Sequence, residues 1–90
     1  VPPGVLIRKN VACPFSKKGQ VLRCLIEGAR DHRDKELIDG LKLSFGRDWV
    51  QVIPDPYREL FHVNGEADTR DRAERLVDEH LAKIERCLKG

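Results

Sequence analysis

The 90-residue sequence predicts an α+β domain in two layers: an antiparallel sheet of about four strands with two helices on one face, in the order strand, helix, three strands, helix. Three observations carry this. Segments that alternate apolar and polar residues ("LKLSF", "WVQVI", "LFHV") follow one another across short polar links, as antiparallel strands do. Two longer segments repeat apolar residues every three or four positions, the signature of helices with one buried face. Helices that each own a single apolar face bury it by sharing one side of a sheet, which leaves the other side open. A chain this short supports one core, because it buries only roughly 60 to 65 % of its unfolded surface.

Residues 1–4, Val-Pro-Pro-Gly, read as linker, since proline lacks a backbone donor and favours extended chain; the domain is expected over 5–90. "VLIRKNVAC" (5–13) is rich in β-branched and aliphatic residues and reads as a strand. Ser16 can cap a helix from Ser16 to Ala29 whose apolar positions are Val21, Leu22, Leu25, Ile26 and Ala29. Gly19 weakens its first turn and is expected to mark a close approach of backbones. "DHRDKE" (31–36) reads as a solvated connection, and 37–45 as a half-buried strand with Leu41, Leu43 and Phe45 inward. Gly46-Arg47-Asp48 is a polar turn, so the strand over 49–53 closes an antiparallel hairpin. "LFHVNGEA" adds a strand with Phe61 and Val63 inward and His62 and Asn64 outward. Asp68 or Thr69 caps the last helix, whose stripe runs Ala73, Leu76, Val77, His80, Leu81, Ile84, Cys87 and Leu88.

Lys and Arg number 17 against 15 Asp and Glu, a net charge of +2, with the signs interspersed. Such a surface argues against nucleic acid or an anionic membrane as partner. Cys13, Cys24 and Cys87 show no CxxC or metal-ligand spacing, which predicts free buried thiols in a reducing, cytoplasmic setting. No apolar run is long enough to span a bilayer, and a start at Val-Pro-Pro-Gly with no methionine suggests a domain of a longer protein. His80 lies in an apolar stripe and reads as structural, His32 as a surface residue, and the pairs Asp31/Asp34 and Asp68/Asp71 as caps and turns rather than cation ligands. No glycine-rich phosphate cradle, nucleophile elbow or His/Cys cluster is present, so neither a catalytic residue nor a cofactor is expected within these residues. What remains is "PDPYRE", Pro54 to Glu59, between two strands with His62 close by: a turn by residue type, or a binding loop.

The run "IDGLKLSFGRDWVQVIPDPYRELFHVNGEADTRDRAERLVDEHL" (38–81) resembles the C-terminal domain of the phosphohexomutases, the phosphomannomutase and phosphoglucomutase family. "IDG" precedes a strand, a short polar turn precedes a Trp, an interstrand loop follows, and a strand ending in "EA" leads into a long helix. The resemblance implies the same fold, one in which this domain closes over an active site and a loop of the type Arg-Pro-Ser-Gly-Thr-Glu-Pro grips the sugar's phosphate. A guanidinium gives bidentate charge-assisted bonds, and hydroxyls and glycine amides complete an anion nest. At the matching positions stand Ile53, Pro54, Asp55, Pro56, Tyr57, Arg58 and Glu59, of which only Pro54 keeps its type. A carboxylate and an amide-free proline replace donors, so the phosphate grip is expected to be degenerate, with Arg58 and His62 as residual contacts and weak sugar-phosphate binding.

"CPFSKKGQVLR" (13–23) and "PDPYRELFHV" also resemble the mutase-like C-terminal region of bacterial proteins fused to a mannose-1-phosphate guanylyltransferase. Either likeness implies a domain of a sugar-phosphate enzyme in nucleotide-sugar synthesis, partnered by the enzyme's other domains, which would hold the phosphoserine and magnesium of an active mutase. The alternative is a non-catalytic module that binds a protein through the open sheet face.

Overall fold

In the computed structural model, which describes residues 4–37 and 39–89, the alternating segments form one antiparallel sheet. Along the chain the elements are β1 (Val5–Ala12), α1 (Phe15–Gly28), β2 (Lys35–Glu36), β3 (Leu41–Phe45), β4 (Asp48–Pro54), β5 (Leu60–Ala67) and α2 (Arg70–Lys89). The strands lie in the order β1-β5-β4-β3-β2. Apart from Gly4, the expected linker lies outside the described residues.

Register turns the two-residue alternation into a core. Leu43 faces Val50, Leu41 faces Val52, and Val52 faces Val63, so these side chains share one face of the sheet. Val21 and Leu25 of α1 and Val77 and Ile84 of α2 cover that face. Close approach of helix to sheet occurs at Gly65, where a Cβ would come within 2.7 Å of Val77 Cγ2. At Gly19, where it was expected, a Cβ would meet nothing within 4 Å.

Several expectations are corrected. A fifth strand exists: Lys35 pairs with Leu43 and Glu36 with Lys42, in the segment read as solvated connection. Two charged residues on a sheet edge carry no periodicity to read, and charge is how edges avoid further pairing. The strand expected over 37–45 starts only at Leu41, because Asp39 (φ 60°) and Gly40 (φ 155°) turn the chain; Ile38 lies outside the described residues. A Cβ at position 40 would sit 2.2 Å from the Val52 carbonyl oxygen, so only glycine passes there. Phe45 is 42 % exposed rather than core, since it ends β3 at the hairpin turn, where the His32 ring lies 4.7 Å away. Asp48 belongs to β4 rather than to the turn; it is buried and paired with Arg72 of α2.

The caps also differ. Helix α1 starts at Phe15 behind Pro14, with no side-chain cap bond from Ser16. The Phe15 N–H instead donates to the Glu59 carboxylate at 3.1 Å. Of the two candidates for α2, Thr69 acts: its hydroxyl accepts the Arg72 N–H at 3.3 Å. Cys24 and Cys87 are joined in a disulfide between α1 and α2, and only Cys13 is a free buried thiol. No helix among the described residues is long and apolar enough to cross a membrane.

Candidate functional site

The loop between β4 and β5 is built around one side chain. Its neck closes where the Asp55 N–H donates to the Leu60 carbonyl at 3.0 Å. Within it, Asp55 Oδ1 accepts the backbone N–H groups of Tyr57 (2.8 Å) and Arg58 (2.9 Å), the Asx-turn geometry that a short carboxylate offers. Oδ2 pairs with His62 Nε2 at 2.8 Å, and the other ring nitrogen of His62 meets Asn10 of β1 at 2.9 Å. The amides and the imidazole that could have met an incoming anion are thereby occupied by an anion the chain carries itself.

Two residues, one outside the loop and one at its end, tie it to α1. Lys18 of α1 donates to the carbonyls of both Asp55 and Arg58, and Glu59 accepts the first N–H of α1 while its own carbonyl takes the Cys13 N–H at 2.9 Å. A carboxylate at a helix N-terminus is favoured by the unpaired amides there. Neither role was legible beforehand: these contacts span 44 and about 40 residues of sequence and leave no local pattern. The Asx turn did have a signal, since an Asp flanked by prolines, Pro54 and Pro56, is a turn-forming sequence and an Asp side chain bonds the backbone two residues on.

Tyr57 is 88 % exposed at the loop tip, and the Arg58 side chain is exposed without an ion pair or side-chain hydrogen bond among the described residues. Arg58 and His62, expected as residual phosphate contacts, are thus not equivalent: His62 is bound to Asp55, whereas the Arg58 guanidinium is unengaged there. Beside the loop, Phe15, Lys18 and Leu22 of α1, Asp39, and Ile53 to Pro56 border an open groove of about 720 Å³. Its one lysine is held by the loop's carbonyls.

The backbone amide of Tyr57, then the His62 ring, hold the Asp55 carboxyl down to about 2. A depressed carboxylate contributes order that is present above its unfolded value, near 3.8, and is lost as pH falls through about 2. In an NMR acid titration the Tyr57 and Arg58 amide resonances should therefore hold their positions through pH 4 and move with a midpoint near 2. A midpoint at the ordinary aspartate value would show that these bonds do not persist in solution.

The face opposite the helices is mainly polar. Across it run Arg8, Asn64, Gln51 and Lys42 in one register row, and Leu6, Glu66, Trp49 and Ser44 in the next. Trp49 Nε1 donates to Glu66 at 3.2 Å and the Lys42 ammonium lies 5.0 Å from the indole centre. The sheet's one tryptophan is therefore engaged within its own face.

An antiparallel sheet with both helices on one face and a structured loop between two inner strands places the chain among two-layer α+β domains. Curated relatives narrow that class. Over 89 residues, 98 % of its length, the chain is 29 % identical to a probable phosphoglucosamine mutase of Methanopyrus kandleri, of which it covers 20 %. Over 86 residues it is 26 % identical to a phosphoglucosamine mutase of Methanococcus maripaludis, covering 93 % of the chain and 19 % of the relative. A mutase from another strain of that organism is 28 % identical across the whole chain. The chain is homologous to a domain of these phosphohexomutases and spans about one fifth of their length. No protein-family model matches it.

Proposed function

We propose that the chain is the sugar-phosphate-facing domain of a phosphohexomutase-like enzyme, in which the loop from Pro54 to Glu59 is a structural lid element with little phosphate affinity of its own. One observation carries the reading: the Asp55 carboxylate occupies the Tyr57 and Arg58 amides and the His62 ring that an incoming phosphate would need. Homology to phosphoglucosamine mutases supplies the setting. The nucleophile and magnesium of such an enzyme then belong to its other domains, and the domain's part is to cover and shape the site. Fusion to a mannose-1-phosphate guanylyltransferase is the finer version of this reading, a setting in which a phosphate grip here is dispensable.

The test restores the grip. Replacing Ile53→Arg, Asp55→Ser, Pro56→Gly and Tyr57→Thr together supplies a guanidinium, removes the internal carboxylate and adds an amide. The variant should bind a mannose or glucosamine phosphate with a dissociation constant of about 1 mM, with shift changes confined to the loop and His62, while the unmodified chain shows no saturable binding. Equal binding by the unmodified chain, lost on Arg58→Ala, would establish a re-specialised loop and overturn the proposal.

A further inference from the structure

The two edges of the sheet are unlike. At one end β2 is two charged residues long, which discourages further pairing. At the other, β1 runs for eight residues in unbroken register with β5, without proline or bulge. Register fixes which of its backbone groups are free. The Cys13 N–H donates to Glu59, continuing the β1–β5 register, and the Asp55 N–H donates to Leu60, continuing that of β4 and β5. Opposed residues in an antiparallel pair alternate between bonded and unbonded, so the odd-numbered residues of β1 bond to β5, and Leu6, Arg8, Asn10 and Ala12 turn their N–H and C=O groups outward. On that side they have no backbone partner among the described residues.

The side chains along this edge select what can pair with it. On the open face Leu6 is 40 % exposed, and Arg8 is exposed without an ion pair among the described residues. On the helix side Ile7 and Val11 are half-buried against the core, and Lys9 between them is held by Asp78 at 2.7 Å. A second copy of the chain fits this edge poorly. Outward-bonding residues must face one another across a two-fold axis, and the registers with the longest overlap then set Arg8 opposite Arg8 or Lys9 opposite Lys9. Like charges directly opposite destabilise a strand pair.

We propose that the outer edge of β1 takes an extended segment of another protein as an added antiparallel strand, with a carboxylate side chain opposite Arg8 and apolar side chains opposite Leu6, Ile7 and Val11. Main-chain bonds to Leu6, Arg8, Asn10 and Ala12 supply the affinity, and the charge pair fixes the register. The inference stands apart from the loop reading, and either can fail alone.

The experiment is an NMR titration of the isotope-labelled chain, without reductant, with the peptide acetyl-Thr-Val-Thr-Thr-Glu-Val-Leu-Thr-amide. Its glutamate falls opposite Arg8 when its first residue meets Ala12. Saturable shifts are expected at the amides of Leu6, Arg8, Asn10 and Ala12, with a dissociation constant of about 0.5 mM. The same peptide N-methylated at its third, fifth and seventh residues, which lacks the donors aimed at β1, should bind about tenfold more weakly or less. A peptide with lysine in place of the glutamate should bind about fivefold more weakly, and the exposed variant Arg8→Glu should reverse that preference. No saturable shift at these amides, equal binding of the methylated peptide, a preference that Arg8→Glu leaves unchanged, or a chain that already dimerises through β1 would each overturn the proposal.

Discussion

Phe61→Ala is expected to destabilise the chain by about 3 to 5 kcal/mol, the range for truncating a fully enclosed aromatic ring. Phe61 is 0 % exposed, sits in β5 opposite Val11 on one side and Pro54 on the other, and is the largest fully buried side chain. A chain of this length holds only about 5 to 13 kcal/mol in total, so the loss is a large share of it. Leu81→Ala, at a half-buried position on α2, should cost less, near the low end of about 2 to 5 kcal/mol for a leucine. Urea unfolding of the two variants and of an exposed control, Lys83→Ala, separates them. A midpoint for Phe61→Ala no lower than that of the control would contradict the packing described. The effect should reach the loop as well, since Leu60 and His62, on either side of Phe61, hold Asp55.

The parts of the fold that were legible in the sequence are those where one physical rule acts over consecutive residues. Alternation over 41–45 and 60–67 placed Leu41, Leu43, Phe61 and Val63 inward, because a pleat fixes which residues share a face; over 49–53 the alternation marked a strand, and it is the register with β3 and β5 that turns Val50 and Val52 to the core. The α2 stripe was legible for the same reason, and Ala73, Val77, His80, Ile84 and Cys87 are buried. Phe45 obeys the alternation yet is exposed, because periodicity assigns a face but not the length of the layer that covers it. Lys35 and Glu36 form a strand only through partners on β3, which local pattern does not contain.

The loop's path was legible only in part: Pro54, Asp55 and Pro56 mark a turn. That the Asp55 carboxylate turns inward to hold Tyr57, Arg58 and His62 depends on the loop's path and on His62 lying seven residues along, in the next strand. Lys18 and Glu59, which tie the loop to α1, are ordinary surface charges until the fold brings them together.

Reduction of the Cys24–Cys87 disulfide is expected to cost about 4 kcal/mol, because it frees a closed loop with a sequence separation of 63 in the unfolded chain. The Cα atoms lie 6.0 Å apart, an ordinary span for such a bridge. The free-thiol expectation failed here because equal exposure to apolar stripes says nothing about which cysteines meet; that Cys24 and Cys87 face each other follows from α1 lying against α2. Helix α1 buries only Val21 and Leu25, against five residues of α2, so it is the element that leans on the bridge. Because α1 also carries Lys18, loosening it should weaken the hold on the Asp55 and Arg58 carbonyls as well. Two measurements follow: urea unfolding with and without a thiol reductant, repeated on Cys24→Ser/Cys87→Ser, and hydrogen exchange of the α1 amides in both states. The expected result is a lower midpoint on reduction, absent in the double variant, with the largest loss of protection in α1. Equal midpoints with and without reductant would mean that the bridge does not form in solution, and α1 would then be held by Val21, Leu25 and their neighbours alone.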